Sequence, residues 1–85
     1  MKWFVYCISS QTRNYLYVGL TNSLLRRVKQ HNEGKERTTR VYRPFELILE
    51  EQFRSRAEAR LREKYLKSGV GKEFLRLVRD RRKRS

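Results

Sequence analysis

The spacing of apolar residues divides the chain into short segments. From Lys2 to Ser9, Trp3, Val5 and Cys7 alternate with Phe4, Tyr6 and Ile8, so both faces of one strand carry apolar side chains. A strand covered on both sides has this near-continuous apolar look. Ser9 to Asn14 is polar and reads as a turn. From Asn14 to Leu20 a second strand sets Tyr15, Tyr17 and Gly19 on one face and Leu16, Val18 and Leu20 on the other. So short a connection favours antiparallel pairing, and the two strands form a hairpin.

The period then becomes helical. Thr21 or Asn22 can cap a helix running to about Glu33, with Gly34 just past its end. Leu24, Leu25 and Val28 give it an apolar stripe, and Arg27 and His31 lie one turn apart on its flank. Lys35 to Pro44, KERTTRVYRP, has no period and reads as a basic loop. Phe45 to Phe53 returns to a strand, with Phe45, Leu47 and Leu49 on one face.

Ser55 and Glu58 have the spacing of a capping box, opening a helix that ends near Ser68-Gly69. Its expected core ridge is Ala57, Leu61 and Tyr65; Glu63, between Ala59 and Leu66, borders an apolar face and could point inward. A last helix follows Gly71, with Phe74, Leu75 and Val78 apolar. The order ββαβαα predicts a small α+β domain, a three-stranded antiparallel sheet flanked by helices. Residues 1–80 are expected to form it, with 81–85 a solvated basic tail.

Composition narrows the function. Eighty-five residues make one domain with a thin core, burying about 60–65% of the unfolded chain's surface. A net charge of +13 points to a polyanionic partner. One cysteine and one histidine exclude an internal disulfide framework and a closed zinc site. The first apolar stretch is too short for a signal peptide, and no run approaches the roughly 18 residues of a membrane span. The expected setting is reducing and cytoplasmic, away from membranes.

Hydrolytic chemistry has few acids to draw on. Asp80 is the single aspartate, and the eight glutamates form no cluster with metal-ligand spacing. A two-metal nuclease needs several converging carboxylates. No Ser–His–Asp set or glycine-rich phosphate loop is visible. Phosphodiester cleavage by this chain would need another proton acceptor.

Phe4-Val5-Tyr6, ten intervening residues, then Tyr17-Val18-Gly19 resembles the paired signature of the GIY-YIG nuclease superfamily. The likeness continues through LRRVKQHN, the TR..RP loop and EKYLKSGVGKEFL, covering about residues 3 to 80. It is similar to the family's small stand-alone branch, single-domain proteins labelled endonuclease-like. Phe4 departs from the signature, standing where the family has glycine.

The resemblance implies a site of Tyr6, Tyr17, Arg27, His31 and Glu63. Tyr6 would accept the proton of an attacking water, beside Tyr17. An ordinary tyrosine titrates near 10, so this requires about 3 units of help, or roughly 4 kcal/mol, from a cation and hydrogen bonds. Arg27, rather than Arg26, would hold phosphate oxygens, and His31 would help pass the proton. Glu63 would be the lone protein ligand of one Mg²⁺ or Mn²⁺, and Gly19 would allow a close backbone approach.

Each of these residues also has a plain structural reading, in sheet packing or on a solvated helix face. Lys29, Lys35, Arg37, Arg40 and Arg43 flank the expected site and could position a phosphate backbone. The expected activity is metal-dependent DNA cleavage, in repair or recombination, with DNA ahead of RNA as partner. The alternatives are a basic nucleic-acid-binding module that keeps the fold without cutting, and a basic structural protein.

Overall fold

A computed structural model describes residues 2–84. The elements in order are β1 (Trp3–Ser10), β2 (Leu16–Thr21), α1 (Leu24–Asn32), a 3₁₀ turn (Arg40–Tyr42), β3 (Phe45–Phe53), α2 (Arg56–Lys67) and α3 (Gly69–Arg84). The three strands form one antiparallel sheet in the order β2-β1-β3. This is the α+β architecture that the apolar pattern predicts.

The central place of β1 explains its apolar alternation. Val5 and Cys7 enter a core with Val18, Ile48, Ala59, Leu66 and Leu75, beneath α2 and α3. Tyr6 and Ile8 point the other way, into a cluster with Leu24 of α1 and Phe45. At about 25 cal/mol per Å² of apolar surface, these two small clusters are the main stabilising contribution in a chain this short.

Five details differ from the sequence reading. On β3, Phe45 and Leu47 share the α1 face, but Leu49 packs on the other. The cause is a bulge: Ile8 pairs with Leu47 and Cys7 with Leu49, leaving Ile48 as the extra residue and shifting the alternation. On α2 the inward residues are Ala59, Glu63 and Leu66, whereas Ala57, Leu61 and Tyr65 are exposed. Leu61 and Tyr65 instead share their outward exposure with Val70, Phe74 and Leu77 of α3.

On α1, Leu24 is buried and Leu25, one residue on, is 83% exposed. Ser23 occupies the N-cap position without a side-chain cap bond, while Thr21 Oγ1 accepts the Ser23 amide at 3.0 Å. Helix α3 begins at Gly69 and places Gly71 within it, so the basic segment remains helical to Arg84. The expected tail at Ser85 lies outside the described residues.

The C-terminus of α1 and the 3₁₀ turn close over one face of the sheet. Gly34, at φ 78°, takes the left-handed conformation that ends a helix. Asn32 Oδ1 accepts the Phe45 amide at 2.6 Å, and Tyr42 stacks on Tyr15 with centroids 3.7 Å apart. The basic loop is therefore a fitted cover.

Candidate active site

Tyr6 lies in the middle of β1, directly opposite Gly19 on β2. A Cβ at Gly19 would stand 2.3 Å from the Tyr6 hydroxyl, so only glycine lets the phenol lie across the neighbouring strand. Tyr17 comes from the same face of β2, its ring centroid 6.3 Å from that of Tyr6. Helix α1 supplies His31, fully buried, whose ring lies 4.9 Å from Tyr17 and 5.9 Å from Tyr6.

Hydrogen bonds connect Tyr6, His31 and Thr39 in series. The Tyr6 hydroxyl meets His31 Nε2 at 2.9 Å, and His31 Nδ1 meets the hydroxyl of fully buried Thr39 at 2.9 Å. A neutral imidazole has one donor and one acceptor nitrogen. When Nδ1–H donates to Thr39, Nε2 is left to accept from Tyr6; the reverse tautomer reverses both bonds.

Arg27, one turn before His31, is half-buried and pairs with Glu36, and it donates to Gln30 at 3.2 Å. Arg26 is exposed, as the 100° step between successive helix residues requires of one member of the pair. The Arg27 bond holds the Glu36 carboxyl below the usual range. His31 is pushed down from its ordinary 6.5, first by burial and then by Arg27, with Glu36 opposing.

Tyr6 titrates above the ordinary tyrosine value. Burial and the neighbouring Tyr17 raise it, and Arg27 only partly offsets them. The expected downward shift is therefore absent, because desolvation in this thin but closed layer outweighs one cation. The phenol is neutral at physiological pH.

Tyr6, Tyr17, Arg27 and His31 thus gather on one face. Glu63 does not join them directly. It sits buried on the inward face of α2, and its oxygens receive Arg60 at 3.2 Å and Lys67 at 3.1 Å. Lys67 in turn lines a groove along β2 that Tyr17 also lines.

Among the described residues, no three His, Cys, Asp or Glu side chains assemble as a metal-binding group. Glu63 alone suits the way Mg²⁺ is bound through one or two carboxylates, with water and substrate phosphates completing the shell. Each of its oxygens accepts one ion-pair bond, leaving a further lone pair for a cation.

Of the expected phosphate-positioning residues, Lys29 and Lys35 both pair with Glu33, and Arg43 donates to the Arg40 carbonyl at 2.7 Å. Lys29, Lys35, Arg37, Arg40 and Arg43 are all exposed. Two residues at the site were missed, Glu36 and Thr39. Both lie in the segment read as a basic loop; its only acid, Glu36, was the available signal. Nothing in the sequence marks Thr39 apart from Thr38.

Residues 2–75 match the family model described as the GIY-YIG catalytic domain. A UPF0213 protein of Bacillus subtilis, YazA, is 43% identical over 65 residues, 75% of this chain and 65% of its own length. The chain thus spans just under two thirds of that relative. A UPF0213 protein of Staphylococcus haemolyticus, SH2523, is 33% identical over 94% of this chain and 98% of its own. The solution NMR structure of the UPF0213 protein BH0048 from Bacillus halodurans overlays with a TM-score of 0.55 at 33% identity. That match covers 92% of this chain and 85% of BH0048. With the model spanning both tyrosine strands, α1 and α2, this chain belongs to the GIY-YIG family.

Proposed function

We propose that the chain is a metal-dependent endonuclease that hydrolyses phosphodiester bonds in DNA by water attack at phosphorus. The observation that carries this reading is the Tyr6 hydroxyl bonded to buried His31, with Tyr17 and Arg27 alongside. A hydroxyl with a neutral imidazole behind it can take a proton from water while passing its own to His31 Nε2. The phenol then need never be a free anion, so its raised pKa is compatible with the role.

As the water oxygen bonds to phosphorus and the bond to the leaving strand breaks, Arg27 stabilises charge on the non-bridging oxygens. Phosphate would exchange for Glu36 at that guanidinium. Tyr17 bounds the space beside Tyr6 and orients the reacting phosphate. Glu63 would hold the divalent cation, Mg²⁺ or Mn²⁺, whose chemistry is Lewis-acid stabilisation of the leaving oxygen.

Cleavage of a labelled DNA with Mg²⁺ or Mn²⁺, and its loss on chelation, is the test. Arg27→Ala and Glu63→Ala should abolish cutting while binding persists. Wild-type binding without cutting under either metal would replace this reading with the non-catalytic binding module. Turnover untouched by Glu63→Ala would remove the metal role of that residue.

A further inference from the structure

The cations of α3 are not evenly spread. Lys72, Arg76, Arg79 and Lys83 recur at i, i+4, i+7 and i+11, which confines them to one stripe along the helix. That stripe walls two grooves. One, about 460 Å³, runs along β2 between Tyr15–Val18 and Lys67, Lys72, Arg76 and Arg79. The other, about 510 Å³, continues around the hairpin turn to Lys83. They meet at Asn14 and Arg79, whose side chains are bonded at 2.6 Å.

No acid lines the first groove, and the acid lining the second, Glu46, is paired with Arg82. Lys72 and Lys83 have no acidic partner among the described residues, while Arg76 and Arg79 pair with Glu73 and Asp80 on their own helix. Strand β2 is an edge strand, so nothing pairs with the floor of the groove within the sheet.

We propose that this continuous groove is the track for the phosphate backbone of one nucleic-acid strand, leading it to Tyr17. The stripe is about 16 Å long at 1.5 Å per residue. That is the axial length of about five phosphates on one strand, at 3.4 Å each. Lys67 links the track to Glu63, and Tyr17 links it to the His31 side, so a strand in the groove reaches both halves of the site. The grip thus lies on the α3 side of the hairpin, where the sequence pattern suggested the loop side. What happens to the strand at Tyr17 rests on the nuclease reading; its path does not.

Binding of a fluorescein-labelled deoxyoligonucleotide, single-stranded and duplex, is measured by anisotropy across a salt series with chelator present. Lys72→Gln with Arg76→Gln should lower the slope of log affinity against log salt by about 1.4–1.8, two contacts at about 0.7–0.9 each. Lys29→Gln with Arg37→Gln removes the same charge from the loop side and should change it less. Equal losses, or a larger loss from the loop pair, would overturn the proposal, since net charge or the loop would then carry binding. All four residues are exposed, so folding is little affected. Chelation removes cleavage from the readout: a wild type that never cuts would count against the nuclease reading and leave this comparison intact.

Discussion

Val5 and Cys7 leave β1 toward Ala59, Leu66 and Leu75, while Tyr6, between them, leaves toward His31. Behind Val5 and Cys7 burial is almost wholly apolar, and the Cys7 thiol is pushed up to about 12 by desolvation and is inert. Behind Tyr6 each buried polar group needs a partner, and Tyr6, His31 and Thr39 supply one another's. The α2 layer therefore tolerates exchanges of similar volume. Losing a hydroxyl from the α1 layer instead orphans a buried partner, at a cost of about 1–3 kcal/mol.

The sharpest test pairs one substitution from each face. Tyr6→Phe should cut cleavage by about 10²–10⁴-fold, the scale of a lost general base, with the fold retained. Leu66→Ala should do the converse, costing about 2–5 kcal/mol of stability with little change in rate per folded molecule. Cleavage kinetics beside denaturant melts of both variants would show it. A Tyr6→Phe protein cutting at wild-type rate would break the division of labour.

Most of the fold was legible because alternation and helical period are local. The exceptions arose where the sequence offers two apolar faces. Helix α2 carries both Ala57/Leu61/Tyr65 and Ala59/Leu66, and hydrophobicity alone favours the first. The second is inward, and it takes Glu63 with it. The carboxylate is accommodated at the rim by Arg60 and Lys67, partners at i,i+3 and i,i+4 on its own helix; that spacing is legible in the sequence, but which apolar face turns inward is not.

At the candidate site, the family resemblance names Tyr6, Tyr17, Arg27 and His31, and strand register and one helical turn explain why these four side chains gather. Thr39 was not, since its contact depends on how the loop folds back onto Tyr15 and Ser10. Phe4 is resolved too: it pairs with Thr21 in extended strand, and no residue there has a positive φ. The glycine this hairpin requires is Gly19, under the Tyr6 phenol.

Thr39 gives a middle-sized effect that separates holding from reacting. Thr39→Val keeps the shape but deprives His31 Nδ1 of its partner, at about 1–3 kcal/mol of stability. If Thr39 also sets the tautomer, cleavage should fall further than binding, with kcat reduced at unchanged KM, and Thr39→Ser should restore both. An equal loss of rate in the Ser variant would leave Thr39 a packing residue only.

The smallest effect is a pH shift from Glu36, and it tests whether His31 works neutral. Burial and Arg27 hold His31 below 6.5, so the acid limb of the rate profile should lie below that value. Glu36 is the carboxylate that pulls His31 back up, so Glu36→Gln should move the limb further toward acid. Stability follows the same sign. Between the lowered native value and 6.5, the unfolded chain binds a proton that the native state refuses. His31's contribution is therefore intact above 6.5 and shrinks as pH falls through that window. Glu36→Gln should extend the window downward, visible in melts taken across the same pH series. A rate that instead falls as pH rises through the His31 titration would mean that the protonated imidazole is the working form.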